Sequence, residues 1–154
     1  IDKHYLADLA RAGVPVVPTR FVEPGADAAA AVAGFLAEFA PEELVIKPAV
    51  GAGSKDALRL ASTDRDRAVA HVGALLARGR SVMLQPYLAS VDADGETAAV
   101  YIDGRYSHAI RKGPLLAPGG ALVEGLFAAE DIRPRELARD EGRVAKLAYN
   151  AIPH

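Results

Sequence analysis

The apolar pattern predicts a mixed α+β chain built as two small lobes, 1–88 and 89–154. Helical and extended patterns alternate as far as Leu88, and a hairpin pattern then replaces the alternation. No internal repeat, low-complexity tract or long linker interrupts the 154 residues. Two lobes hinged near 85–92 fit that order better than one doubly wound sheet.

The elements follow in order. Tyr5, Leu6, Leu9 and Ala10 recur at helical spacing, with Gly13 placed as a C-terminal cap. Val14–Thr19 reads as a short strand whose prolines suit an edge or an end. Asp27 caps a second helix through Phe39, which Pro41 stops. Leu44-Val45-Ile46 is a compact apolar run, hence a buried strand, and it delivers Lys47-Pro48 to a small-residue loop, Gly51-Ala52-Gly53-Ser54. Ala57–Ala61 is the return strand. Thr63 and Asp66 resemble a capping box opening a helix with Ala68, Val69, Val72, Leu75 and Leu76 on one face, ended by Gly79. His71 falls on the solvent side of that helix.

Ser81–Gln85 is the next strand, closed by Pro86, and Asp92-Ala93-Asp94-Gly95 is turn chemistry. Glu96–Asp103 and Arg105–Lys112 are the arms of a hairpin turned at Asp103-Gly104. Pro114–Gly120 is a Gly/Pro-rich loop. Pro134 fits the first turn of a last helix reaching Asn150.

Composition removes several function classes. Without Cys there is no disulfide, thiolate nucleophile or Cys-ligated metal. Eighteen basic and 20 acidic residues give a net charge of −2, with no footprint for nucleic acid or an acidic membrane. Apolar stretches break well short of the ~20 residues of a membrane span. Position 56 is Asp, so Gly51-Ala52-Gly53-Ser54-Lys55 meets neither the P-loop nor the dinucleotide pattern. His4, His71, His108 and His154 lack metal-ligand spacing, and no Ser sits in a nucleophile elbow. The opening at Ile1 and the close just after a long helical pattern read as the ends of an excised piece.

Lys47 carries the most chemistry. A lysine at the end of a buried strand has its stem packed and its ammonium at the strand end, where a phosphate is a fitting partner. The glycine loop that follows lets backbone N–H groups approach phosphate oxygens. Alone, this pair reads equally as a surface lysine beside a flexible turn. Four further features join it in order: Asp2-Lys3, Leu84-Gln85-Pro86-Tyr87-Leu88, Asp94-Gly95-Glu96 and His108-Ala109-Ile110-Arg111-Lys112. The ordered set resembles the ATP-grasp superfamily, in particular glutathione-synthetase-like ligases of the cycloserine-biosynthesis type, over nearly the whole chain.

The resemblance implies the rest. Lys3 and Lys47 would contact nucleotide phosphates from the first lobe, under a flap made of Gly51, Gly53, Ser54 and their neighbours to Lys55. Gln85, Tyr87 and Leu88 would meet adenine. Asp92 or Asp94 would reach the ribose, and Glu96 would bond a ribose hydroxyl or support the metal shell. Lys112 would contact phosphates from the second lobe. Lys47 and Lys112 are thus the expected catalytic residues of an ATP-dependent carboxylate–amine ligase acting through an acyl phosphate. The alternative is a non-catalytic nucleotide-binding or interaction module.

The family's Mg²⁺ ligands lie on a late strand, and this chain is expected to be C-terminally incomplete, so no metal ligand is named within it. Asp131, Glu136, Asp140 and Glu141 read as a solvated face. The chain alone is therefore expected to be inactive, to expose edges that favour a homo-oligomer, and to belong to the cytoplasm, where ATP is used. Its partners are ATP and an unidentified carboxylate and amine.

Overall fold

The computed structural model describes residues 1–120 and 131–152. These form two units. One comprises 1–6, 17–87 and 116–120; the other comprises 7–16, 88–115 and 131–152. His154 lies outside the described residues.

Helix α1 (Tyr5–Arg11) opens the chain and is followed by Gly13 at φ 79°. In the first unit, β1 (Arg20–Val22), β2 (Glu43–Pro48), β3 (Leu58–Ala61) and β4 (Val82–Pro86) form one sheet in the order β1-β4-β2-β3. Every pairing is antiparallel. Helices α2 (Ala28–Phe39) and α3 (Arg65–Ala77) supply Val32, Phe35, Leu36, Ala68, Val72, Leu75 and Leu76 to the core. The sheet supplies Val22, Leu44, Ile46, Leu58, Leu60, Val82 and Leu84. The strand contributors lie two residues apart because alternate side chains share a face. Asp27 caps α2 as expected, its Oδ1 accepting from Ala29 and Ala30 N–H at 2.8 and 3.0 Å.

In the second unit, α4 (Ser90–Asp94) is a single turn leading into β5 (Glu96–Ile102), β6 (Arg105–Lys112) and β7 (Ile132–Arg135). The sheet order is β5-β6-β7, again antiparallel. Asp103 (φ 47°) and Gly104 (φ 78°) make the tight turn that the sequence predicts. Helix α5 (Arg139–Ala151) lays Tyr149 on Tyr101, ring centroids 4.9 Å apart.

Four local expectations are corrected. The first strand is Arg20–Val22 and not Val14–Thr19: Pro15 and Pro18 have no N–H to give a ladder. Helix α3 starts at Arg65 behind Asp64, and no side chain bonds its cap. Residues 92–94 are helical, with the turn concentrated at Gly95. Pro134 belongs to β7, opposite Ile110, and the last helix begins at Arg139. An outer strand tolerates a residue without an N–H. Glu141 is also not a solvated residue: it accepts from Thr97 Oγ1 (2.6 Å), Arg135 Nη2 (3.0 Å) and the Ala138 N–H (2.8 Å).

Gly95 is fixed by space as well as by φ. At φ 73°, a Cβ there would stand 2.4 Å from the Lys112 carbonyl oxygen. Gly95→Ala is expected to destabilise the second unit by about 1–3 kcal/mol from backbone strain, before the clash is added. Urea unfolding followed by tyrosine fluorescence checks this.

The first residues of the chain are tied to the first sheet through His4. Its Nδ1 lies 2.6 Å from Asp2 Oδ1, its Nε2 3.1 Å from Glu23 Oε1, and its ring stacks on Phe21 at 4.3 Å. Ser81 Oγ donates to the other oxygen of Glu23. Hydrogen bonds to Asp2 and then Glu23 raise the His4 pKa. The backbone bond from His4 lowers that of Asp2, and the Ser81 bond lowers that of Glu23. A raised histidine pKa adds stability below its unfolded value, near 6.5, which is lost as pH rises through the folded value. Lowered carboxylate values add stability above their unfolded values, near 4, which is lost as pH falls through the folded ones. Stability should therefore peak between about pH 4.5 and 6.5 and decline on both sides. His4→Ala should flatten the alkaline decline, read as urea midpoints across pH.

Candidate nucleotide site

Strand β2 has two faces with different work. Leu44 and Ile46 point into the helix-covered core, so Val45 and Lys47 occupy the opposite face. There, Lys47 stands opposite Met83, and Val45 stands between Arg59 and Gln85 on its two neighbours. Val45, Met83, Arg59 and Gln85 are all buried, while Lys47 is partly exposed. An apolar floor with a lysine at its end and polar groups beside it suits a heterocycle with charged substituents.

The chain beyond Lys47 turns its carbonyls toward two cations. Residues 1–3 pair with 49–51, through Lys3 N–H to Ala49 O (2.9 Å) and Gly51 N–H to Ile1 O (3.2 Å). This pairing sets Lys3 beside the loop. Its Nζ donates to the carbonyls of Gly51 (3.0 Å), Pro48 (3.3 Å) and Ala49 (3.3 Å). All three ammonium hydrogens thus have acceptors. Burial, and then the nearby Arg80 charge, lower the Lys3 pKa. Arg80 Nη2 donates to the next carbonyl, Val50, at 2.9 Å.

Beyond these carbonyls the backbone curls through Gly53 (φ 65°), Ser54 (φ 57°) and Asp56 (φ 60°). Among the described residues, the N–H groups of Ala52, Gly53 and Ser54 donate no hydrogen bond. A glycine-containing curl with such N–H groups, over two cations, fits a phosphate.

The adenine-contact candidates have partners of their own. Gln85 Nε2 donates to Thr19 Oγ1 at 2.7 Å. The Tyr87 N–H donates to Glu43 O at 2.9 Å, and its ring lies 3.5 Å from the Arg59 guanidinium. Leu88 is half-exposed, and its carbonyl accepts from Val91 N–H to open α4. In the second unit, Glu96 and Lys112 face each other across β5 and β6, and Lys112 also pairs with Ile132. The Asp94 carbonyl accepts from Arg111 Nε (2.8 Å) and Arg135 Nη1 (3.2 Å). Among the described residues no group of three or more His, Asp or Glu gathers that could hold a metal, and no helix is long and apolar enough to cross a membrane.

Four residues at or beside the site escape a reading of the sequence. Arg59 is buried, paired bidentately with Glu43 (Nε–Oε1 3.0 Å, Nη2–Oε2 2.5 Å), and it reaches the Leu116 carbonyl. The alternation Leu58-Arg59-Leu60 places it on the Lys47 face and was the available signal. Arg80 and Asp56 meet at 2.6 Å, far apart in sequence, and nothing local foretells that pair. His71, expected in solvent, is partly buried with Nε2 2.9 Å from the Asp56 carbonyl, because the loop folds back over α3.

No protein-family model matches the chain. It is 53% identical over 124 residues to the cycloserine biosynthesis protein DcsG of Streptomyces lavendulae, a match covering 79% of this chain and 41% of that protein. The crystal structure of the D-cycloserine synthetase DcsG superposes with a TM-score of 0.90 at 46% identity, covering 97% of this chain and 50% of that one. The ATP-grasp ligase PsnB (TM-score 0.59, 23% identity) and the D-alanine–D-alanine ligase of Coxiella burnetii (0.60, 16%) share the fold, each over nearly all of this chain and less than half of theirs. By sequence and by fold the chain is similar to DcsG, it shares the fold of the ATP-grasp ligase PsnB, and it spans about half the length of the DcsG relatives.

Proposed function

We propose that this chain is the ATP-binding portion of a carboxylate–amine ligase. The observation that carries the reading is the placement of Lys47 at the end of an apolar sheet face, next to a loop in which, among the described residues, the N–H groups of Ala52, Gly53 and Ser54 donate no hydrogen bond. The 53% identity to DcsG supports it.

In this reading the whole protein joins an acid to an amine in two displacements. A carboxylate oxygen attacks the γ-phosphorus of ATP, the bond to the β–γ bridging oxygen breaks, and ADP leaves. The amine nitrogen then attacks the acyl carbon, inorganic phosphate leaves, and the nitrogen gives up a proton. No protein nucleophile is needed, so the lack of Cys is no obstacle. What the residues contribute is position and positive charge.

Lys47 holds a phosphate oxygen, and the Gly51, Gly53 and Ser54 backbone closes on the phosphates. Gln85, Tyr87 and Leu88 line the base, with Arg59 bracing the Tyr87 ring. Lys3 braces the loop's carbonyls and adds charge beneath it. Mg²⁺ would supply charge neutralisation at the phosphates.

Isothermal titration of the chain with MgATP tests the reading. Lys47→Ala should weaken binding by about 1.5–3 kcal/mol, roughly ten- to hundredfold in Kd, with circular dichroism showing the variant folded. Parent protein that shows neither heat nor thermal protection overturns it. These 154 residues alone should bind nucleotide without forming amide. ATP turnover above the Lys47→Ala control, with an acid and an amine supplied, would overturn that second part.

A further inference from the structure

Helix α3 ends in a complete left-handed cap. Gly79, at φ 70°, donates to Leu76 O (2.8 Å), and Arg80 N–H donates to Leu75 O (3.2 Å). This is the Schellman arrangement, and it fixes the direction in which the next side chain leaves the helix. That side chain is Arg80. Its Nη1 meets Asp56 Oδ2 at 2.6 Å, and its Nη2 meets the Val50 carbonyl at 2.9 Å. Val50 and Asp56 are the two feet of the glycine loop, one on each side of Gly51–Lys55. Two more groups reach Asp56, one from the middle of α3 and one from its cap: His71 Nε2 at its carbonyl (2.9 Å) and Arg78 Nη2 at Oδ1 (3.6 Å).

We propose that Arg80 is a positioning residue for the glycine loop: one guanidinium, aimed by the cap of α3, grips both feet and sets where the loop's amides stand for a phosphate. This rests on the nucleotide reading for its purpose, though not for its geometry. The planar fork matters, because two N–H groups held at a fixed separation serve a carboxylate and a carbonyl at once. With its feet held, the loop can flex between them while its span stays constant. Asp56 adopts a left-handed backbone without being glycine, so its side chain is kept there for what it binds.

Hydrogen exchange of the nucleotide-free chain, resolved by mass spectrometry over 50–57, reads the grip directly. Arg80→Ala and Asp56→Asn should each speed exchange of the Gly51 and Ala57 amides by about three- to tenfold, the worth of one charge-assisted bond partly exposed to water. The double variant should speed exchange by less than the product of the two single effects, since both remove the Arg80–Asp56 link. Guanidinium at tens of millimolar, far below denaturing levels, should restore protection to Arg80→Ala, and equal sodium chloride should not.

Exchange unchanged in both single variants, or additive in the double, overturns the proposal. So does failure of guanidinium to restore protection. If the loop loosens as expected but the parent binds no ATP, the grip stands and the nucleotide reading falls. If the parent binds ATP and the Arg80 and Asp56 variants bind it as tightly, the grip has no bearing on the ligand and the proposal falls.

Discussion

A strand that packs one face against two helices must turn its other face elsewhere. β2 obeys this constraint residue by residue, and the candidate site follows from it. Leu44 and Ile46 are taken by the helices, which leaves Val45 and Lys47 together on the far side. Antiparallel register then brings Met83, Gln85 and Arg59 to the same face. A one-residue slip would exchange the two sets and bury a lysine in the core. The hydrophobic core and the binding face are therefore specified by one alternation.

Much of this was legible in local sequence. Asp27 before an alanine-rich run, Gly79 after an apolar helical stripe, and Asp103-Gly104 between extended arms each carry a backbone conformation in the residue itself. The ordered motifs around Lys3, Lys47, Gln85, Glu96 and Lys112 were legible for the same reason, since each is contiguous. What escaped depends on partners distant in the chain. His71 looks solvated when only its helix is considered, and the strand of Pro134 exists because β6 offers it an edge. Arg59 and Arg80 act through contacts 16 to 57 residues away, which no window along the sequence contains.

The cations around the glycine loop divide into two kinds. Lys3 and Arg80 spend their hydrogens on the protein's own carbonyls and on Asp56, and they shape the backbone. Lys47 stands at the end of β2 opposite Met83, on the face it shares with Val45. In the proposed nucleotide site, positive potential and loop shape are separate requirements, and different side chains would meet them.

Strand β7 reads Ile-Arg-Pro-Arg and pairs only with β6 among the described residues. A row of open backbone donors and acceptors would invite another molecule to add a strand. Pro134 deletes a donor from the middle of that row, and Arg133 and Arg135 set like charges on either side of it. Two such edges brought together would find a gap in the ladder, a built-in resistance to fibril-like stacking. The feature that misleads a reading of this segment as helix is also one that discourages its aggregation.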